Sequence, residues 1–162
     1  MIDKKQITEK YNRLTGILIE KNLTISTMES CTGGLIGVLL SDLSGASSVV
    51  RGGFFTYTNE MKTFCGVDAA VINEFGVYSV ETARAMAAAV REKCGTDIGI
   101  GVTGSIGTVD PANPDSVPGE VYAAVDRNGR IFDKKILLPA TPASRMESRW
   151  YIANQVAELV EK

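Results

Sequence analysis

Histidine is missing from this 162-residue sequence, and its absence narrows the possible chemistry. Mechanisms that depend on a Ser–His pair, a Cys–His pair or histidine metal ligands are excluded. A metal site built from carboxylates alone would remain, but the sequence has no Asp-x-Asp spacing and no calcium-loop pattern. We therefore expect no metal and no other cofactor. If the chain is a hydrolase, its general base must be Lys, Asp, Glu or Tyr.

Other features that are scarce define the class of protein. Three cysteines are an odd number, which argues against a disulfide framework and fits a reducing cytoplasm. No apolar run reaches the ~18 residues of a membrane span, and residues 1–5 do not resemble a signal peptide. A formal net charge of −2 provides no basic field for nucleic acid or anionic membranes. We expect a cytoplasmic globular protein that binds neither.

The order of predicted elements indicates a single α/β domain over residues 1–162. Helical periodicity and caps predict helices at 3–21, 35–41, from Asn59, at 68–75, at 80–93 and from Pro142 to the end. β-rich runs predict strands at 23–27, 49–57, 97–103, 121–126 and 130–138, and Asn128-Gly129 predicts a tight hairpin. Strands that alternate with helices, followed by a late hairpin, predict a three-layer α/β/α sandwich with a mixed, mostly parallel sheet.

The stretch 28–34, Met-Glu-Ser-Cys-Thr-Gly-Gly, is the strongest candidate for chemistry because it joins a predicted strand to a predicted helix. Helix N-termini present unpaired N–H groups, and two glycines there allow an oxyanion or phosphate to approach the backbone. Glu29 would bind N–H groups of the turn or orient a substrate hydroxyl. The plainer alternative is a strand-to-helix turn that Thr32 caps.

Two neighbouring residues in this stretch, Ser30 and Cys31, are candidate nucleophiles, and position alone leaves the choice open. A serine without histidine needs another base, and Lys62 is the best lysine if burial, positive neighbours or its helix dipole lowers its pKa. Tyr57 would relay a proton or, alternatively, be a packing residue. Lys62 could equally be an ordinary helix lysine whose side chain is exposed to solvent.

Further binding residues are predicted around a strand end and on the last helix. Residues 99–104 match G-x-G-x-x-G as a string, but a Pro-rich loop follows instead of a helix, which argues against dinucleotide binding. Thr103, Gly104 and Ser105 would instead offer hydroxyl and N–H groups to a ligand. Arg145 and Arg149 are spaced i, i+4 and would share a face suited to phosphate or carboxylate, or else be solvated.

The chain resembles the CinA C-terminal domain family, whose members include nicotinamide mononucleotide deamidases. The resemblance rests on Glu-Ser-Cys-Thr-Gly-Gly at 29–34 and Gly-Gly-Phe-Phe-Thr-Tyr-Thr-Asn-Glu-Met-Lys at 52–62, and it continues through 76–79 and 101–104. It implies hydrolysis of nicotinamide mononucleotide to nicotinic acid mononucleotide and ammonia, a salvage step, by a Ser30–Lys62 pair with Tyr57 assisting. It also implies a homo-oligomer, a dimer or trimer.

The resemblance and the residue patterns together give one set of expected mononucleotide-binding residues: Glu29, Cys31, Thr32, Gly33, Gly34, Asn59, Thr103, Gly104, Ser105, Arg145 and Arg149. Backbone N–H groups of residues 32–34 would form the oxyanion hole. The chain departs from the family in the loop 105–120, with Ser116 in place of Lys and Glu120 in place of Thr, and at 143–145, where Ala-Ser-Arg replaces Gly-Asp-Arg. The alternatives are a non-catalytic or substrate-shifted nucleotide-binding domain and a thiol enzyme that uses Cys31.

Overall fold

Residues 2–140 and 144–162, which this computed structural model describes, form six α-helices and five strands. In chain order they are α1 (Lys4–Lys21), β1 (Ile25–Glu29), α2 (Leu35–Ser41), β2 (Val50–Phe55), α3 (Asn59–Phe64), α4 (Ala69–Phe75), α5 (Val80–Cys94), β3 (Ile98–Gly104), β4 (Glu120–Arg127), β5 (Arg130–Leu137) and α6 (Arg145–Val160). A short 3-10 turn at Ala46–Ser48 precedes β2. Among these helices, none is long and apolar enough to cross a membrane.

The five strands form one mixed sheet in the order β2-β1-β3-β4-β5. β1 is parallel to β2 and β3, whereas β4 is antiparallel to both of its neighbours. Four strands therefore run in one direction, although the neighbouring pairs divide equally between parallel and antiparallel. The hairpin between β4 and β5 turns at Asn128 and Gly129, both with positive φ, as Asn-Gly predicts. The mixed sheet and the three-layer architecture are confirmed.

Helices cover both faces of the sheet. On one side α1, α2 and α6 pack together over a core that includes Ile98, Ile100 and Val102 of β3. The alternate residues of β3, Gly99 and Gly101, face α5, where a Cβ on Gly101 would lie 2.3 Å from the Ala83 carbonyl oxygen. These glycines allow helix and sheet to approach closely, so the G-x-G-x-x-G string serves packing.

Several predicted boundaries are corrected. β1 begins two residues later than expected, at Ile25, and extends to Glu29. Thr58, not Asn59, is the N-cap of α3, because its side chain accepts the Met61 N–H, and Asn59 is the first helical residue. The predicted helix start at Pro142 lies outside the described residues, as does Ala143; within them, Ser144 caps α6.

The predicted helix ends elsewhere are confirmed. Asp3 caps α1 through a hydrogen bond from the Gln6 N–H, and Ser79 caps α5 through the Thr82 N–H. Gly95 ends α5 in a left-handed conformation, which glycine adopts without steric cost. Local sequence is sufficient at these positions because one side chain or one φ angle decides each of them.

Candidate active site

Three parallel strands end side by side and bring the site together. In the sheet register, Glu29 at the end of β1 pairs with Phe55 at the end of β2 and with Val102 near the end of β3. The segments that follow these strands therefore meet at one edge, where α/β sheets commonly bind ligands. They surround a cleft of about 430 Å³, within the range of small-molecule sites.

Ser30 lines this cleft and contacts Lys62, which is not itself part of the lining. The Nζ of Lys62 lies 3.3 Å from Ser30 Oγ and 3.0 Å from the carbonyl oxygen of Thr56. Both side chains are buried, Ser30 with 4% and Lys62 with 1% of its surface exposed. The distance suits a nucleophile and its base. Of the two interpretations that the sequence left open for Lys62, the burial excludes the exposed helix lysine.

Burial lowers the pKa of the Lys62 ammonium from 10.5 to about 8, because the charged form loses its hydration. Charges on Cys31 and Asp110 act in the opposite direction. Burial, not the helix dipole, is the leading cause, and α3 is only six residues long. Slightly above neutral pH, a substantial fraction of Lys62 is therefore the free amine that a general base must be.

The turn after β1 is built around the buried carboxylate of Glu29. Its two oxygens accept the N–H groups of Ile36 and Gly37, at 3.1 and 2.8 Å, and the hydroxyl of Thr32 at 2.6 Å. Glu29 thus caps α2 from the preceding strand, while the N-cap position itself is Gly34, which has no side chain. The alternative in which Glu29 binds backbone N–H groups is therefore confirmed. Thr32 does not cap the helix as expected, because its hydroxyl donates to Glu29.

The N–H groups at the start of α2 are largely used within the protein. Leu35 N–H donates to the Thr32 carbonyl, Gly33 N–H donates to the Ser30 carbonyl, and Glu29 takes the next two. The N–H groups of Leu35, Ile36 and Gly37, which open α2, are therefore not available to a phosphate. In the turn between Ser30 and α2, the N–H groups of Cys31, Thr32 and Gly34 find no acceptor in residues 2–140 and 144–162.

Cys31 contrasts with Ser30. Its side chain belongs to the main hydrophobic core, with 2% exposed, and burial raises the pKa of its thiol to about 12. A thiol that stays protonated is a poor nucleophile, so the geometry favours Ser30. Cys65 is also buried, Cys94 is half-buried, and all three cysteines are free, as the odd count suggests.

Tyr57 lines the cleft but makes a different contact from the one expected. Its hydroxyl accepts a hydrogen bond from the Arg145 guanidinium at 3.0 Å, and half of the side chain is exposed. The same arginine donates to the Ile106 carbonyl at 2.7 Å and also lines the cleft. Tyr57 is thus tied to α6 rather than to Ser30 or Lys62.

Arg149 lies behind the turn instead of in the cleft. Its Nε donates to the Cys31 carbonyl at 3.1 Å, and a Cβ on Gly33 would lie 3.2 Å from its guanidinium carbon. Arg145 and Arg149 therefore share a helix face, as predicted, but only Arg145 can reach a ligand directly. Arg149 holds the backbone of Cys31, the residue that follows Ser30.

Of the three predicted residues at the end of β3, Thr103 packs inside the protein, whereas Gly104 and Ser105 line the cleft. The Thr103 side chain is fully buried, and its hydroxyl donates to the Val77 carbonyl instead of facing the cleft. Gly104 and Ser105 do line the cleft, although the Ser105 hydroxyl donates to the Thr108 carbonyl. Of the predicted binding residues, those that line the cleft are Cys31, Asn59, Gly104, Ser105 and Arg145; Glu29, Thr32, Gly33, Gly34, Thr103 and Arg149 do not.

Tyr78, Asp110 and Asn113 are among the cleft residues that were not predicted. Tyr78 Oη donates to the Asp110 carboxylate at 2.6 Å, and Asn113 Nδ2 donates to the same oxygen at 2.8 Å. Asn59 joins them through its side-chain amide, 2.9 Å from Asn113. The length of the loop signalled function, but no local pattern indicates which of its residues face the cleft.

Two departures from the family pattern lie outside this lining. The buried Ser116 hydroxyl accepts the Asp110 N–H at 2.8 Å and shapes the loop from behind. Glu120 forms an ion pair with Lys135 on β5, at 2.6 Å. Both substitutions therefore act through the protein's own packing.

The fold and the cleft define a three-layer α/β domain with a buried Ser–Lys pair at the carboxyl edge of its parallel strands. The CinA C-terminal domain family matches residues 7–161. The chain therefore belongs to the CinA C-terminal domain family.

Individual relatives agree with this assignment. A CinA-like protein of Gemmatimonas aurantiaca is 44% identical over 138 residues, 85% of this chain and 31% of that protein. A CinA-like protein of Leptospira biflexa is 37% identical over 132 residues, 81% of this chain and 32% of that protein. The chain thus spans about a third of the length of the curated relatives it matches.

Solved structures show the same fold. The competence/damage inducible protein CihA from Agrobacterium tumefaciens superposes with a TM-score of 0.84 at 30% identity, covering 96% of both chains. A CinA superfamily protein from Escherichia coli gives a TM-score of 0.82 at 23% identity, covering 98% of this chain and 94% of that one. The second likeness concerns the fold alone.

Proposed function

We propose that this domain is an amidase that hydrolyses the carboxamide of nicotinamide mononucleotide to a carboxylate and ammonia, without a metal. The observation that carries the proposal is the buried contact of 3.3 Å between Lys62 Nζ and Ser30 Oγ. The family resemblance supplies the substrate, and the reaction would serve pyridine nucleotide salvage. A cleft of about 430 Å³ is large enough for a ligand of this class.

In the proposed mechanism, neutral Lys62 takes the hydroxyl proton as Ser30 Oγ attacks the carboxamide carbon. The tetrahedral intermediate then collapses as Lys62 returns that proton to the leaving nitrogen, so ammonia departs and a serine ester remains. Water attacks the ester with Lys62 again as base, the acid is released, and Ser30 regains its proton. The Thr56 carbonyl, 3.0 Å from Nζ, orients the amine by accepting one of its N–H groups.

Two further groups support the assignment. The N–H groups of Cys31, Thr32 and Gly34 donate to no acceptor within the described chain and are candidates for the oxyanion hole, each worth roughly 3 kcal/mol. Of these three residues, Cys31 follows Ser30 directly and lines the cleft. Arg145 lines the cleft at the exposed start of α6, where its guanidinium would bind the substrate phosphate. Tyr57 assists by holding that guanidinium.

Ammonia release from nicotinamide mononucleotide, measured in the presence of a chelator, tests the proposal. We expect Ser30→Ala and Lys62→Ala each to lower turnover by about 10³-fold or more, since a covalent pair acts as a unit. The exposed Ser47→Ala and Lys5→Ala are matched controls that should leave turnover unchanged. Normal turnover in Ser30→Ala would refute the mechanism.

Cys31→Ala separates the serine mechanism from the thiol alternative. Because burial raises the pKa of this thiol, we expect the variant to keep its activity. Loss of turnover in Cys31→Ala together with normal turnover in Ser30→Ala would establish the thiol mechanism instead.

The substrate-shifted alternative has its own motivation. Asp110 and its neighbours in the loop 105–119 line the cleft, and this loop departs from the family pattern. Thermal-shift stabilisation by mononucleotides without ammonia release would favour a binding domain over an enzyme.

We also propose that the chain forms a homo-oligomer. The apolar side chains of Phe55 and Phe64 are 56% and 81% exposed, as contact residues of an interface would be in one isolated subunit. Light scattering coupled to size exclusion would give the number of subunits, and a monomer at micromolar concentration would contradict the proposal.

A further inference from the structure

An oriented carboxylate stands on the wall of the cleft, contributed by Asp110. One of its oxygens accepts the Tyr78 hydroxyl at 2.6 Å and the Asn113 amide at 2.8 Å, and the other accepts the Ala112 N–H at 3.0 Å. Asp110, Tyr78 and Asn113 all line the cleft. Three neutral donors therefore fix the direction in which this side chain points.

The negative charge of Asp110 has no ion-pair partner within 4.0 Å in the part of the chain that the structure describes. Hydrogen bonds from Tyr78 and Asn113 hold the pKa of its carboxyl below the usual range, so it is ionised at neutral pH. Lys62 also lowers this pKa, but Lys62 must be neutral when it acts as a base. In the working state, the carboxylate is therefore left without a compensating cation.

The loop that carries Asp110 is fixed to the catalytic helix. The side-chain amides of Asn113 and Asn59 contact each other, and Asn59 is the first residue of α3, which carries Lys62. The Asp110 N–H donates to the buried Ser116 hydroxyl at 2.8 Å. The carboxylate is thus held in place relative to the Ser30–Lys62 pair before any ligand arrives.

We infer that Asp110 is a specificity-determining residue that selects amides attached to a cationic heteroaromatic ring. The inference deepens the proposed function and rests on it. A pyridinium ring is planar and positively charged, and both a carboxylate and aromatic side chains attract such a cation. Tyr57 and Tyr78 line the same cleft.

Charge of the opposite sign lies in the same cleft, where Arg145 is the exposed cation. The cleft therefore combines a cationic side chain with two acidic ones, the fixed Asp110 and the exposed Glu60. A pyridinium mononucleotide has the complementary pair, a cationic ring and an anionic phosphate. A neutral aromatic amide would gain no charge attraction from Asp110, and its binding would remove water from the Asp110 carboxylate at a cost in free energy. Asp110 would therefore select the cationic ring in two ways, by attracting it and by disfavouring neutral rings.

The test compares two ligands that differ in ring charge: nicotinamide mononucleotide and its reduced form, whose dihydropyridine ring is neutral. Binding is measured by calorimetry in a Ser30→Ala background, so that no turnover occurs, at about pH 9.5 to keep Lys62 neutral. Adding Asp110→Asn should raise the Kd for the oxidised ligand by about 30-fold and that for the reduced ligand by less than about 3-fold.

Two variants control for effects on folding. Asp115→Asn removes the same charge from the same loop at an exposed position outside the cleft lining, and it should change neither Kd. Tyr78→Phe keeps the charge but removes one donor, and it should weaken only the oxidised ligand, by about 3- to 10-fold. If Asp110→Asn does not fold, as judged by thermal unfolding, Tyr78→Phe carries the same comparison.

The inference is overturned if Asp110→Asn raises the Kd of both ligands equally or changes neither Kd. Ammonia release by the wild-type protein distinguishes this failure from failure of the proposed function. If the wild-type protein hydrolyses nicotinamide mononucleotide but Asp110→Asn shows no dependence on ring charge, the amidase proposal stands and the inference about Asp110 is refuted. Charge-selective binding without turnover removes the amidase and leaves the cation subsite. Absence of binding by either ligand overturns both.

Discussion

Replacing Lys62 with methionine should stabilise the protein at neutral pH while it removes activity. A pKa that falls from 10.5 to about 8 means that folding weakens proton binding at Lys62 by about 3 kcal/mol. The side chain is 1% exposed, so solvent screening does little to reduce this figure. Below pH 8 the full cost of about 3 kcal/mol reduces the free energy of unfolding, because the buried amine is charged in the folded protein.

The sign of the pH dependence follows from the direction of the shift. Between pH 8 and 10.5 the unfolded chain binds more protons at Lys62 than the folded protein does, so the contribution of this residue to stability rises with pH. Above this window the lysine is neutral in both states and the cost disappears. Methionine has no charge at any pH, so the advantage of the variant should decrease across the same window.

Urea unfolding at a series of pH values measures this effect. The free energy of unfolding of Lys62→Met, minus that of the wild type, should be about 3 kcal/mol larger at pH 7 than at about pH 10.5. Loss of the hydrogen bonds to Ser30 and Thr56 subtracts about 1–2 kcal/mol at every pH. The change with pH, not the absolute difference, is therefore the quantity to test.

Lys5→Met is the matched control, since the Lys5 side chain is 88% exposed. Its difference from the wild type should stay flat over the same pH range. If the difference for Lys62→Met changes by less than about 1 kcal/mol, Lys62 is not a desolvated amine in the folded protein. The basis for Lys62 as general base at neutral pH would then be lost.

Three other predictions follow from the same structure. The kcat/KM of the amidase reaction should rise with pH through the Lys62 pKa of about 8, because only the free amine accepts the Ser30 proton; a profile that is flat from pH 6 to about 9 would contradict this assignment. Glu29→Gln should lower the free energy of unfolding by about 2 kcal/mol, since one amide oxygen cannot accept all the hydrogen bonds that the carboxylate accepts. Chemical denaturation measures this change, and an unchanged midpoint would argue against Glu29 as the cap of α2. Gly101→Ala should lower the free energy of unfolding by more than about 3 kcal/mol, because the new Cβ would lie 2.3 Å from a backbone oxygen. The control Gly16→Ala on α1, whose Cβ would lie 3.9 Å from its nearest neighbour, should raise the free energy of unfolding by about 0.5–1 kcal/mol. Equal shifts of the thermal midpoint in the two variants would refute the packing argument.

The residues that act locally were predictable from the sequence. Asp3, Ser79 and Gly95 end their helices because one side chain or one backbone angle satisfies nearby N–H and carbonyl groups. Asn128-Gly129 fixes a hairpin for the same reason. The limits of such reasoning appear at Asn59, where Thr58 is an equally good cap one residue earlier.

Roles that depend on distant neighbours were not predictable in this way. For Glu29 the sequence left two roles open, binding of backbone N–H groups or of a substrate hydroxyl. The structure decides for the first, because β1 runs two residues further than expected and the Glu29 carboxylate contacts α2. Thr103 points into the protein to reach Val77. Asp110 faces the cleft only because Tyr78 and Asn113, which lie 32 residues before it and 3 residues after it, both donate to it.

The sequence by itself determined the α/β class, the exclusion of histidine chemistry and the short list that contains Ser30 and Lys62. These conclusions depend on composition, periodicity and residue type, which need no neighbours. Tertiary structure decided which of Ser30 and Cys31 contacts Lys62, and it lowers the pKa of that lysine. Both depend on burial and on a contact across 32 residues between Ser30 and Lys62. That contact forms because β1 and β2 are adjacent and parallel, so the segments that follow them reach the same edge of the sheet.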